Sequence, residues 1–186
     1  MSFRSIVDSV NRHIRDVCKH SKYSVRMHMC KDTAQSDLIY SLIKRSRCHD
    51  QVPNCLYHYV LAHSDNVLVS YLSFRIITVG KTKALEMSFS CSHLDYRRKG
   101  LSKLLRACAI IVAKRASCKY VISDANEMSG PMLRDTFGFE FNAGEDGTGE
   151  YIETVADELN WESSPTAVLL LESFDVESLL KSCLVK

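Results

Sequence analysis

From Leu85 to Ser92 apolar and polar residues alternate without interruption: Leu85, Met87, Phe89 and Cys91 on one side, Glu86, Ser88, Ser90 and Ser92 on the other. Period two is the spacing of a strand with one polar face. Shortly afterwards the period changes, and Leu101, Leu104, Leu105, Cys108, Ile111 and Val112 fall on one stripe of a helix running to about Ala116. The segment "KYVISDA" then supplies another strand. Strand, helix, strand in direct succession calls for a parallel pair joined by a helical crossover, because parallel neighbours cannot be joined by a tight turn.

The flanking segments are built differently. Phe3, Ile6, Val7, Val10, Ile14 and Val17 form the inward stripe of an opening helix within residues 1–22, and Asp8 and Asp16 on its polar side favour packing on its own domain over a targeting or membrane-surface role. Ser24 to Cys30 reads as a short strand. "KDTAQSDLIYSLIKRS" reads as a helix with Asp32 or Thr33 near its cap and Leu38, Ile39, Leu42 and Ile43 facing inward. Two strand-like runs around "HSDN" make a hairpin. Later come a short helix starting at Ser129, Gly130 and Pro131, a strand beginning in "FGFEF", a strand from Thr166 to Glu172 and a terminal helix around Val176 to Leu184. The expected architecture is a mixed α/β sheet, mostly antiparallel, in a single domain over residues 1–186.

Between the alternating strand and the helix lies "DYRRKGLSK". A helix N-terminus already carries roughly half a positive charge and several amides without helical acceptors. Arg97, Arg98, Lys99, Lys103 and Arg106 add cationic side chains there, and Gly100 allows close approach of a ligand to backbone. The combination fits a bound phosphate. The formal net charge of +2 argues against a dedicated nucleic-acid binder. Eight irregularly spaced cysteines, most in apolar runs, read as reduced thiols of a cytoplasmic or nuclear protein. No metal site is expected, since Cys48, His49, Cys55, His58 and His63 lack the paired short-spaced ligands of a zinc centre. No apolar run approaches membrane-span length, so a soluble protein is expected.

"YRRKGLSKLL" resembles the acyl-CoA signature of the GNAT (GCN5-related) N-acetyltransferases, Gln or Arg, two residues, Gly, one residue, Gly or Ala, through Arg97, Gly100 and Ser102. Ser102 departs from the last position. "VISDANEMSGPMLRDTFGFEF" resembles the family's second block, with Asn126 and the Gly138 and Phe139 pair. The resemblance implies the GNAT fold with an extra N-terminal helix, acetyl-CoA as cosubstrate, and pyrophosphate on the amides of Arg98, Lys99, Gly100, Leu101, Ser102 and Lys103 beside Arg97. It places the pantetheine arm on backbone of Ser90, Cys91 and Ser92 like an added strand, with Asn126 meeting the arm or helping to hold the two splayed strands, the alternative being that it caps a turn.

The resemblance also nominates Glu86 as general base, since acetyl transfer needs a neutral amine and free alkyl amines have a pKa of roughly 10. An amide near Ser92 would hold the developing oxyanion. Where many members carry a tyrosine that protonates the departing thiolate, this chain has Arg134, leaving Ser129 or water. Residues 143–165, between the last two strands, hold seven acids and no lysine or arginine. Glu145, Asp146 and Glu150 are expected to attract a cationic amine acceptor, a polyamine, a lysine side chain or protein N-terminus, or a small amine. The expected protein is a monomer or homodimer without membrane or nucleic-acid partners. The competing expectation is a GNAT-fold module that binds CoA or a protein partner without turnover.

Overall fold

The computed structural model describes residues 2–29, 33–48, 56–125, 129–141, 155, 158, 159, 167–172, 174, 175, 178, 180, 182 and 183. The chain divides into two compact units, one of Met1–Arg75, Phe89–Val112 and Asp175–Lys186, the other of Ile76–Ser88 and Ala113–Phe174. The strand order is β1-β2-β3-β4-β5-β7-β6 in a seven-stranded sheet, antiparallel except for the β4 and β5 pair.

In the first unit helix α1 (Phe3–Val17) buries Ile6, Val7, Val10 and Ile14, the stripe its spacing requires. Each such aliphatic side chain contributes about 1.5–3 kcal/mol. Ser2 caps the helix by accepting from the Ser5 amide at 3.2 Å. Strand β1 (Ser24–His28) pairs with β2 (His58–Ser64) on one side. At its other side the Met27 amide donates to Asn11 Oδ1 at 2.8 Å, and Asn11 Nδ2 donates to the Met27 carbonyl at 3.1 Å. One amide side chain of α1 thus occupies both outward backbone groups of that edge residue.

Helix α2 (Thr33–Ser46) buries Ile39, Leu42 and Ile43, while Leu38 is 45% exposed. The expectation that Leu38 faces inward is corrected. The buried stripe runs 39, 42, 43, 46, and residue 38 sits one helical step outside it. Asp65 and Asn66, both with positive φ, join β2 to β3 (Val67–Val79) in a two-residue turn whose twist matches the strands. Ile39, Leu42, Ile43, Tyr57, Tyr59, Leu61, Leu68, Tyr71 and Cys91 make this unit's packed core. His58 lies between the Phe3 and Phe74 rings, and burial pushes its pKa down to about 4.

Strand β4 (Thr82–Ser92) begins in the second unit and ends in the first. Ala84, Leu85, Met87 and Cys91 are buried and the intervening polar residues half-buried, as the alternation requires. A 3-10 turn (Leu94–Tyr96) leads toward α3 (Leu101–Arg115), the crossover to β5 (Tyr120–Ser123). Besides its expected stripe, α3 buries Arg106, Ala107, Ala109, Ile110 and Ala113, so it is covered nearly all round.

In the second unit Ala84, Leu85, Glu86 and Met87 pair in parallel with Tyr120, Val121, Ile122 and Ser123. Helix α4 (Gly130–Phe137) ends on Gly138, whose left-handed φ of 70° lets its amide reach the Arg134 and Leu133 carbonyls. Phe139 follows into the interior at 3% exposure. Strand β7 (Ala167–Leu170) lies between β5 and β6 (Glu140–Phe141), antiparallel to both. Residues 178, 180, 182 and 183 are helical, in keeping with the expected terminal helix.

Candidate functional site

The ladder between β4 and β5 ends at Met87, whereas β4 continues to Ser92. On the side toward β3, two serine hydroxyls hold the last residues of β4. Ser73 Oγ accepts from the Phe89 amide at 2.9 Å and lies 3.2 Å from its carbonyl, and Ser70 Oγ donates to the Cys91 carbonyl at 3.0 Å. Because backbone groups alternate sides along a strand, those of Ser90 face the other way, beyond the end of the β5 ladder.

The loop after β4 is set by two left-handed residues, Arg98 at φ 58° and Gly100 at φ 76°. The first intrahelical bond of α3 runs from the Leu104 amide to the Gly100 carbonyl at 3.0 Å. The amides of Leu101, Ser102 and Lys103 therefore have no helical acceptor, the arrangement that binds an anion. A Cβ built on Gly100 would meet nothing within 4 Å, so internal packing does not demand the glycine; the backbone conformation does. Gly100→Val is expected to strain the loop by about 1–2 kcal/mol, leave the domain folded, and lower acetyl-CoA affinity by at least tenfold, because the side chain enters the space a phosphate would take. Unchanged affinity by calorimetry in the folded variant would remove the anion cradle.

The basic side chains divide into three groups. Arg98 and Lys99 are exposed, with Lys99 Nζ 4.9 Å from the Tyr96 ring centroid, and Lys103 is half-buried. Arg97 turns toward protein: its Nη2 donates to the Ser46 carbonyl at 2.9 Å and its Nε to the Ser92 carbonyl at 3.4 Å, tying the end of α2 to the end of β4. Arg106 is buried at 4% exposure, and desolvation lowers its pKa to about 10, which leaves it charged at neutral pH. The sequence ranked all these cations alike, because residue type alone does not say which long side chains turn inward.

Cys91 and Cys48 form a disulfide, with Cα atoms 5.8 Å apart, and Arg97 Nη2 lies 3.6 Å from Cys48 Sγ. This corrects the expectation of reduced thiols for that pair. Cys91 lies on the buried face of β4 and is bonded to Cys48, two residues past the end of α2, so it offers a ligand only its backbone. Disulfides persist in oxidising surroundings, so the cysteine argument for a reducing compartment does not extend to these two residues. Cys18, Cys108, Cys118 and Cys183 are free thiols, and burial pushes Cys18 and Cys118 up to about 11. Such thiols are poor nucleophiles.

Glu86 is half-buried on the polar face of β4, opposite Ile122 in the parallel register, and Ser88 Oγ donates to its Oε1 at 2.9 Å. That bond fixes the carboxylate on the strand carrying Ser90 and Ser92. Arg134, at the position where a tyrosine was sought, stacks its guanidinium 4.9 Å from the Phe141 ring centroid. Asn126, Glu145, Asp146 and Glu150 lie outside the described residues. Of the acidic segment, Glu158 is engaged elsewhere: Lys119 Nζ donates to its Oε2 at 2.9 Å and Tyr120 Oη at 3.0 Å, which holds its carboxyl below the usual range. Val155 and Leu159, one helical turn apart, are buried with Ala84, Tyr120, Ile122 and Val168. Part of this segment is therefore core.

Three solved structures with a similar fold are acetyltransferases by name. An acetyltransferase of Trypanosoma brucei covers 66% of this chain and 96% of its own at a TM-score of 0.54 and 17% identity. The ribosomal-protein-S18-alanine N-acetyltransferase of Escherichia coli covers 65% and 79% at 0.53 and 12%. An aminoglycoside acetyltransferase from an uncultured soil metagenomic sample covers 61% and 84% at 0.50 and 10%. The fold is that of the GNAT acetyltransferases. No protein-family model matches the chain, and no curated protein sequence is significantly similar to it. Among the described residues no helix is long and apolar enough to cross a membrane.

Proposed function

We propose that the chain is an acetyl-CoA-dependent N-acetyltransferase that acts on a primary amine by direct attack in a ternary complex. The observation that carries this reading is the join of two features at the end of β4: a strand that outruns its β5 partner, and a loop whose next three amides lack helical acceptors. The first fits a pantetheine arm on Ser90 to Ser92; the second fits a pyrophosphate on Arg98 to Lys103. Acetyl-CoA would supply the activated acetyl group. Glu86 would take the ammonium proton, and the Ser92 amide would hold negative charge on the acetyl oxygen.

A second reading has its own support, since Ser102 replaces the small residue of the signature and Arg134, stacked on Phe141, replaces the tyrosine. On that reading the chain binds CoA or a protein partner without turnover. Incubation with acetyl-CoA and a panel of polyamines, lysine peptides and aminoglycosides, with free thiol as readout, separates the two. Thiol release that requires an amine supports the enzyme; CoA binding without release supports the module.

The acceptor is proposed to be cationic, drawn by Glu145, Asp146 and Glu150. Neutralising all three to Gln or Asn is expected to raise the acceptor KM several-fold at low salt and to flatten its salt dependence, because screening acts over about 8–10 Å at ordinary ionic strength. Acetyl-CoA affinity should hardly move. Equal acceptor KM values for variant and wild type at low salt would reject the cationic acceptor.

A further inference from the structure

Arg106 is the most buried cation on the loop side of α3, and among the described residues its hydrogen-bond partners are hydroxyls. Its Nη1 donates to Ser102 Oγ and its Nη2 to Ser90 Oγ at 3.3 Å, while its Nε is buried without a hydrogen-bond partner. Among the described residues no carboxylate pairs with it. A buried guanidinium facing only hydroxyls is costly unless an anion completes it. The two hydroxyls also have a defined state. Each accepts from the guanidinium, so each has its own O–H proton left to donate. Ser90 is on the part of β4 beyond the β5 ladder, and Ser102 belongs to the first turn of α3, whose amides have no helical acceptors.

We propose that Arg106 is the buried counter-charge of the cofactor pyrophosphate and acts through Ser90 and Ser102, whose polarised hydroxyls donate to phosphate oxygens. This inference rests on the CoA reading above and makes Arg106 a positioning residue. It also gives Ser102 a purpose at a position where the family signature has Gly or Ala: the added hydroxyl carries the charge of Arg106 to the ligand. The sequence counted Arg106 among direct contacts; at 4% exposure it works from behind them.

The test is calorimetric titration of the full chain with two probes, CoA and pantetheine, which lacks the pyrophosphate. Wild type should bind CoA more tightly than pantetheine. Arg106→Gln should lower CoA affinity roughly ten- to a hundredfold, the usual worth of hydrogen bonds to charged groups, and leave pantetheine affinity unchanged. Arg106→Lys, which keeps the charge without the fork, should recover part of the loss. Equal losses for both probes, or no loss for CoA, would overturn the role of Arg106. If Arg106→Gln does not fold, Ser90→Ala and Ser102→Ala carry the test, with a several-fold loss for CoA alone expected and unchanged CoA affinity in both overturning the proposal. Wild type with no preference for CoA over pantetheine would instead overturn the cofactor reading itself.

Discussion

On the proposed mechanism, replacing Glu86 by Gln is expected to lower turnover by roughly a hundredfold or more and to leave acetyl-CoA affinity almost unchanged. The carboxylate sits on the polar face of β4, and its Oε1 accepts from Ser88 Oγ at 2.9 Å. A glutamine keeps that acceptor and the side-chain volume, so the variant loses basicity without losing shape. The deficit should depend on pH in one direction. Near pH 7 an alkyl amine with a pKa of about 10 is almost wholly protonated and needs a base; as pH rises toward that value the amine sheds its own proton, and the variant should approach wild type. A structural role for Glu86 predicts a deficit independent of pH. Steady-state rates between pH 7 and 9.5 decide, and a wild-type rate at pH 7 would assign the proton to water or to another group.

Removing the Cys48 and Cys91 disulfide is expected to cost about 4 kcal/mol of stability, which for a chain of this size lowers Tm by about 10 °C. The bond closes a sequence separation of 43 residues, and in the chain-entropy account that constraint on the unfolded ensemble is where most of its effect arises. Cys48→Ser is the cleaner variant, because Cys48 is half-buried whereas Cys91 lies in the packed core with Tyr57 and Leu61. Thermal unfolding of wild type with and without a dithiol reductant supplies the control: reduced wild type should melt with Cys48→Ser. If reductant and substitution both leave Tm in place, the two cysteines are thiols in solution.

The elements fixed by local chemistry were legible in advance. Asp65 and Asn66 announce a tight turn, the Leu85 to Ser92 alternation announces a strand with a polar face, and the shift to helical spacing at Leu101 announces the crossover. Gly138 was legible too, though its observed duty is to end α4 in the left-handed region. What escaped depends on tertiary placement. Nothing in the spacing of Cys48 and Cys91 brings them together, because their meeting depends on where the end of α2 falls against β4. Likewise, Arg97 and Arg106 look like Arg98 in sequence, yet one braces two carbonyls, one is buried against serines and one faces solvent. The two late strands do pair antiparallel with each other, but that β7 and not β6 adjoins β5 follows from partner choice, which periodicity does not encode.

The clamp of Asn11 on Met27 bears on how the molecule avoids its own copies. Strand β1 is at one end of the strand order, and a strand in that place presents alternate N–H and C=O groups that template the addition of another chain. By occupying both groups of Met27, the Asn11 side chain imitates one residue of a neighbouring strand and then stops, since the rest of its helix offers no further backbone ladder. Helix α1 is thus a blunt end for the sheet as well as an apolar cover. A chain shortened past it would carry an open edge, and its characteristic failure would be edge-to-edge pairing of two copies through β1.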